Sequence, residues 1–249
     1  MTNAAGRSSV WLEGKARRGG RGGQPSGLDR ERITAATVRL LDAEGLARFS
    51  MRRLAAELNV TAMSVYWYVD TKDDLLELAL DAVYGELLLP DPAEPWEWRD
   101  RLRALAGQYR ALLVRHPWLS PLVGTYLNIG PNALAFARVV QRTLRGTGLP
   151  ASRLTGAISA VLQFVYGFGT IEGHFGARVA AAGMTHDEYF RHSVSAASQD
   201  PGAAAMIEES ADIMEARGGD TPQEMWERDF TFGLDLLVAG IEAMLTREE

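Results

Sequence analysis

The chain has 249 residues, of which 47% are hydrophobic, a formal net charge of −6 and no cysteine. That length accommodates one small domain plus a larger one, and that apolar fraction supports a sizeable core and excludes wholesale disorder. Without cysteine there is no disulfide framework, thiolate metal site or thiol nucleophile, which fits a reducing cytoplasm.

Charge is unevenly spread. Residues 1–27 sum to +4, residues 28–75 to −1 and the remainder to −9. A basic N-terminal end on an acidic body orients a molecule on a polyanion. No stretch approaches the ~20 apolar residues of a membrane span. The longest apolar run, near residues 157–171, is interrupted by Gln163, Gly167 and Gly169, so no membrane partner is expected. The basic N-terminus is not followed by an apolar run, so no secretory signal is expected either.

In chain order, residues 1–27 are rich in Gly, Arg and Ser and read as a flexible basic arm carrying Arg17, Arg18 and Arg21. Asp29 caps a first helix to about Ala43, ended by Gly45. Ser50 caps a second helix to about Leu58, and Asn59 suits a left-handed turn. Thr61 caps a third to about Trp67. This helix-turn-helix is a device for placing one helix in the major groove of DNA. Thr71 with Asp74 opens a fourth helix, Lys72 to about Leu88, before Pro90, Pro92 and Pro95 break the chain.

Further helices are expected over about 96–115, 118–126, 132–145 and 152–179, with another opened by Thr185 and Glu188. Residues 193–203 read as a mobile loop, 204–217 as a helix ending at Gly218-Gly219, and 221–245 as a last helix opened by Thr221-Pro-Gln-Glu224. The fold class is all-α: a three-helix helix-turn-helix DNA-binding domain over residues 28–75, joined to a larger helical body over 76–249.

The segment Ser50-x-Arg-x-Leu-Ala55, the turn, Val65-Tyr-Trp-Tyr-Val69 and Lys72 resemble the TetR family of bacterial regulators. Gly124-Thr125, Gly130-Pro131-Asn132-Ala133, Ala157-Ile-Ser-Ala160 and Glu172 are similar to the C-terminal domain of tetracycline-repressor-type members. The resemblance implies an all-helical homodimer, paired through helices near 152–179 and 221–245. It also implies a small molecule in the body that changes the separation of the two readers.

The third helix is expected to turn Thr61, Ala62, Ser64 and Tyr68 toward DNA while Val65 and Val69 face inward. Ala62 and Met63 suit thymine methyl groups. By resemblance Arg52 reaches a base, and Tyr66 and Trp67 contact phosphates; the plainer readings are a solvated arginine and a packed tryptophan. Lys72, at a helix N-terminus, joins backbone amides in gripping phosphate. The arm either reads a minor groove through Arg17, Arg18 and Arg21 or is a linker adding salt-sensitive attraction.

The body offers aromatics and amides for a large, partly apolar ligand: Gln108, Trp118, Asn128, Phe136, Gln163, Phe164, Phe168 and Glu172, with Tyr109 and Tyr166 nearby. Individually, most of these also suit a core or an interface. Tetracycline-type members hold a magnesium–drug chelate through a histidine just before the Gly-Thr pair. Here Leu122 and Val123 stand there, so a metal-free effector and no cofactor are expected. No nucleophile elbow, phosphate loop or zinc-protease motif occurs, which argues against an enzyme. The alternative to a ligand-responsive repressor is a constitutive or architectural DNA-binding protein of the same fold, which would have a filled body core.

Overall fold

The computed structural model describes residues 9–12, 27–91, 97–216 and 221–245. The described regular structure is entirely helical. Three helices make the head: α1 (Arg30–Glu44), α2 (Met51–Glu57) and α3 (Ala62–Tyr66). The connecting helix α4 (Lys72–Tyr84) follows. The side chains of Asp29, Ser50, Thr61 and Thr71 each accept the backbone N–H three residues on, so all four N-caps act as the sequence predicts. Ile33, Leu41, Leu54, Val65 and Leu75 close the head's core.

The fourth helix is shorter than predicted. It ends at Gly85, and the chain then turns so that the Gln108 side chain holds Leu88 at both ends: the Leu88 N–H donates to Oε1 at 2.6 Å and Nε2 donates to the Leu88 carbonyl at 2.7 Å. A side-chain amide here substitutes for the next helical turn.

The body comprises α5 (Trp98–Arg115), α6 (Leu119–Val123), α7 (Pro131–Arg145), α8 (Ala151–Ala182), α9 (His186–Ala197), α10 (Pro201–Glu209), α11 (Ala211–Ala216) and α12 (Pro222–Leu245). α8 packs along α5 and also meets α7, α9 and α12. The buried Asp81 of α4 caps α7 from across the interface, accepting the N–H groups of Asn132 at 3.0 Å and Ala133 at 2.9 Å. A Cβ on Gly130 would run into that carboxylate. Burial pushes the Asp81 carboxyl above its usual range, and the backbone donors pull it partly back.

Four readings are corrected. Residues 193–203 are not a loop: α9 continues to Ala197, and Asp200, accepting the Ala203 N–H at 2.9 Å, caps α10 with Pro201 in its first turn. The helix expected over 204–217 is divided at Ser210 into α10 and α11. Within the arm, Ser9 and Val10 are packed: Val10 lies in the core, and the Ser9 hydroxyl donates to the buried Glu77 carboxylate of α4. Finally, α8 is long and apolar enough by composition to cross a membrane, although most of that stretch is not buried within the chain. In this fold α8 is a packed element with an apolar outer face. Arg17, Arg18 and Arg21, with Pro92, Pro95, Gly218 and Gly219, lie outside the described residues.

Candidate nucleic-acid interface and ligand cavity

At the head, Asn59 takes φ 54°, the only non-glycine in left-handed backbone among the described residues, and reverses the chain between α2 and α3. The Val60 N–H closes the turn onto the Ala55 carbonyl at 2.9 Å. Val65 and Val69 are buried as predicted, which leaves the opposite side of α3 to solvent. Met63 is 68% exposed and Trp67 70%, and Tyr66 is exposed as well. Large apolar side chains standing in water around a helix-turn-helix mark a contact surface rather than a core. Thr61 is exposed, and Ala62 and Ser64 are half-buried beside it.

Arg52 is exposed and has no ion-pair partner among the described residues, whereas Arg53 is occupied, its Nε donating to Glu44 at 2.8 Å. Lys72 donates to the Phe49 carbonyl at 3.0 Å and lies over the Phe49 ring, so it fastens the head as well as facing its edge.

Tyr68 departs from its predicted place. It is 7% exposed, and its hydroxyl donates to the Leu28 carbonyl at 2.5 Å. α3 ends at Tyr66, so residue 68 no longer follows the helical wheel that put it beside Thr61 and Ser64.

The body contains a cavity of about 550 Å³ between α4, α5, α7 and α8. Of the predicted ligand residues it gathers Asn128, Phe136 and Gln163. Its floor is Tyr84, Tyr109 and Phe136, whose ring centroids lie 5.3–6.2 Å apart. Burial raises the Tyr84 and Tyr109 phenols above their ordinary titration range, so both stay neutral. Tyr166 donates to the Ser120 carbonyl at 2.9 Å, and Asn128 Nδ2 to the Val123 carbonyl at 3.0 Å. Tyr84, Gln141 and Ser159 were missed. Tyr84 comes from the connecting helix, and nothing local marks it. Ser159 and Gln163, four residues apart on an apolar helix and joined at 2.8 Å, are a signal that could have been read.

The other candidates lie elsewhere. Gln108 is spent on Leu88. Trp118 is buried, its indole N–H donating to Asp42 at 2.6 Å beside a separate hollow of about 650 Å³ between α1 and α8. Phe164 and Phe168 pack with Phe230 of α12. Glu172 is bound by Arg110, Nε to Oε2 at 2.6 Å, and Arg110 also reaches Glu227 at 2.6 Å. The residues do not fit a chelated divalent cation. The cavity lining has no carboxylate or histidine, and no group of three His, Asp or Glu suited to a metal occurs among the described residues.

Head and body are fastened by His116, at the end of α5. Its Nδ1 meets Asp42 of α1 at 2.6 Å and its Nε2 meets Glu86 at 3.2 Å. Burial would lower its pKa, but the two carboxylates outweigh burial and raise it above the ordinary 6.5. A folded-state pKa above the unfolded one contributes stability that is complete below about pH 6.5 and is lost as pH rises through the raised value. Melting temperature is therefore expected to fall as pH rises from about 6.5 through the raised value. His116→Gln should flatten that profile; an unchanged slope in the variant would remove His116 as its source.

The two halves match two distinct family models. The family model described as "Bacterial regulatory proteins, tetR family" matches residues 33–79, and "Tetracyclin repressor-like, C-terminal domain" matches residues 90–245. The chain is 35% identical over 222 residues to an HTH-type transcriptional regulator of Saccharopolyspora erythraea, covering 87% of this chain and 85% of that one. It is 32% identical over 238 residues to the HTH-type transcriptional repressor DrrR1 of Streptomyces coeruleorubidus, covering 96% and 85%. The Streptomyces coelicolor TetR family protein ActR, solved in complex with actinorhodin, is similar with a TM-score of 0.66 at 25% identity, covering 88% of this chain and 98% of that one. Head and body match in the same order as in these relatives, so the chain belongs to the TetR family: it is a helix-turn-helix DNA-binding regulator and not an enzyme.

Proposed function

We propose that this protein is a ligand-responsive transcriptional repressor, acting in the cytoplasm as a homodimer on a pseudo-palindromic operator. A large, partly apolar, metal-free effector releases it. The observation that carries this reading is the cavity over Tyr84, Tyr109 and Phe136. A constitutive or architectural binder needs no such ring-floored, largely apolar cavity in its body, whereas an effector-responsive one does. The relatives support it: one is named a repressor, and another was solved in complex with actinorhodin. The effector needs only a higher affinity for the conformation whose heads no longer match the groove spacing.

Pairing through α8 and α12 is supported by what those helices leave uncovered. Ile171, Phe232 and Leu236 are mostly exposed, and Phe232 and Leu236 are one helical turn apart on the face of α12 opposite Phe230, Leu234 and Val238. A neighbouring export or biosynthesis gene, or the protein's own promoter, is the expected target.

The test is a mobility shift on DNA upstream of the gene and its neighbours at two salt concentrations. Arg52→Ala and Trp67→Ala are each expected to weaken a selective shift roughly tenfold or more while melting temperature stays put. The arm is tested by replacing Arg17, Arg18 and Arg21 with alanine, not by truncation, because removing residues 1–27 also strips Ser9 and Val10 from the core. Loss of selectivity beyond the salt effect assigns the arm to the minor groove; loss of affinity alone makes it a linker. A shift that no aromatic compound relieves would favour the constitutive alternative.

A further inference from the structure

We propose that the cavity takes its ligand end-on, with an uncharged aromatic end inserted and any ionic group held at the mouth. The inference rests on the effector reading above and names the chemistry of that site. The lining contains no lysine, arginine, histidine, aspartate or glutamate. Its inner surface is the buried ring trio Tyr84, Tyr109 and Phe136, extended by the buried Val140. Rings spaced 5.3–6.2 Å apart offer faces and edges to another aromatic system.

An ion driven onto that floor would lose its water with no counter-charge to replace it. The mouth is different. Gln141 of α7 and Ser159 and Gln163 of α8 are exposed. Gln163 Nε2 donates to the Ser159 hydroxyl at 2.8 Å, which leaves the Gln163 carbonyl oxygen toward an incoming donor. A charged substituent at this rim keeps its hydration. The cavity therefore sorts ligands by where their charge sits, not only by how much they carry.

Three flat probes of one ring system separate these terms: 1,4-dihydroxyanthraquinone, neutral below its phenol pKa; anthraquinone-2-sulfonate, charged at one end; and anthraquinone-2,6-disulfonate, charged at both ends. Binding to the full-length protein is measured by equilibrium dialysis near pH 6. The neutral and monosulfonate probes are expected to bind within about tenfold of each other, and the disulfonate roughly 100-fold more weakly or not at all. Leu162→Trp and Ala137→Trp, which place bulk in the cavity wall and at its rim, should each abolish binding while leaving thermal melting and the DNA shift intact.

Equal binding of the disulfonate overturns the inference, since no uncharged end is then required. Loss of the monosulfonate together with the disulfonate overturns the end-on placement. Binding that survives both tryptophan variants overturns the location. If none of the three probes binds, the inference falls together with the effector reading. If the neutral probe binds but the charge order fails, only the inference falls.

Discussion

Replacing Glu172 with alanine is expected to lower the melting temperature by roughly 4–8 °C, the shift that about 2 kcal/mol produces in a chain of this size. The pair it breaks is largely buried: the Arg110 side chain is 10% exposed and that of Glu172 16%. Removing one partner of a buried pair leaves the other charge without compensation, at about 3–5 kcal/mol. The smaller figure applies here because Glu227 remains to hold Arg110 from the solvent side. Arg110 also stands over the rings of Phe168 and Phe230, 5.2 and 4.6 Å from their centroids, so the cluster ties α5 to α8 and α12.

Replacing Arg110 and Glu172 together by leucine is expected to recover most of the loss, because two desolvation penalties disappear with the pair. The experiment also decides what Glu172 is for. If it held an effector, Glu172→Ala would shift the inducing concentration and leave the melt unchanged. The geometry makes it a fastener of the bundle.

A second large effect is expected at Gly173. A Cβ there would lie 2.8 Å from the Leu113 carbonyl oxygen and 3.2 Å from the Val114 Cα, both backbone atoms that cannot swing aside. The preceding turn repeats the approach, with a Cβ on Gly169 3.0 Å from that of Leu113. α8 thus lies against α5 through a groove of missing side chains, and Gly173→Val must push the two helices apart. Overpacking of this kind costs about 3 kcal/mol, or roughly 6–12 °C. Gly176→Ala supplies the contrast on the same helix. Its Cβ would meet nothing closer than the far ring nitrogen of His186 at 3.7 Å, so the better helix propensity should leave stability unchanged or slightly raised. A melt equally depressed in both variants would refute the close-packing account.

The sequence by itself determined the class, the helices of the head and the order of the helices up to α9. Caps at Asp29, Ser50, Thr61 and Thr71 are local chemistry, each settled by a side chain and an N–H three residues away, and so is the turn at Asn59. The inward faces of Val65 and Leu54 follow from helical periodicity in the same way. A cap one step outside the expected pattern, Asp200 before Pro201, was written just as locally and was overlooked under the loop-like composition around it.

Only the tertiary structure decided which polar and aromatic side chains meet. Gln108, Trp118 and Glu172 have the chemistry of ligand contacts, yet each is satisfied by a partner 20, 76 or 62 residues away in sequence. Periodicity gives the face of a helix but not what lies across from it. The same limit hid Tyr84, a cavity residue on the connecting helix, and Val10, a core residue inside a basic, glycine-rich stretch. Tyr68 shows the limit within the head itself. One early helix end, at Tyr66, rotated it from the expected DNA face to the Leu28 carbonyl, because direction along a helical wheel holds only while the helix does.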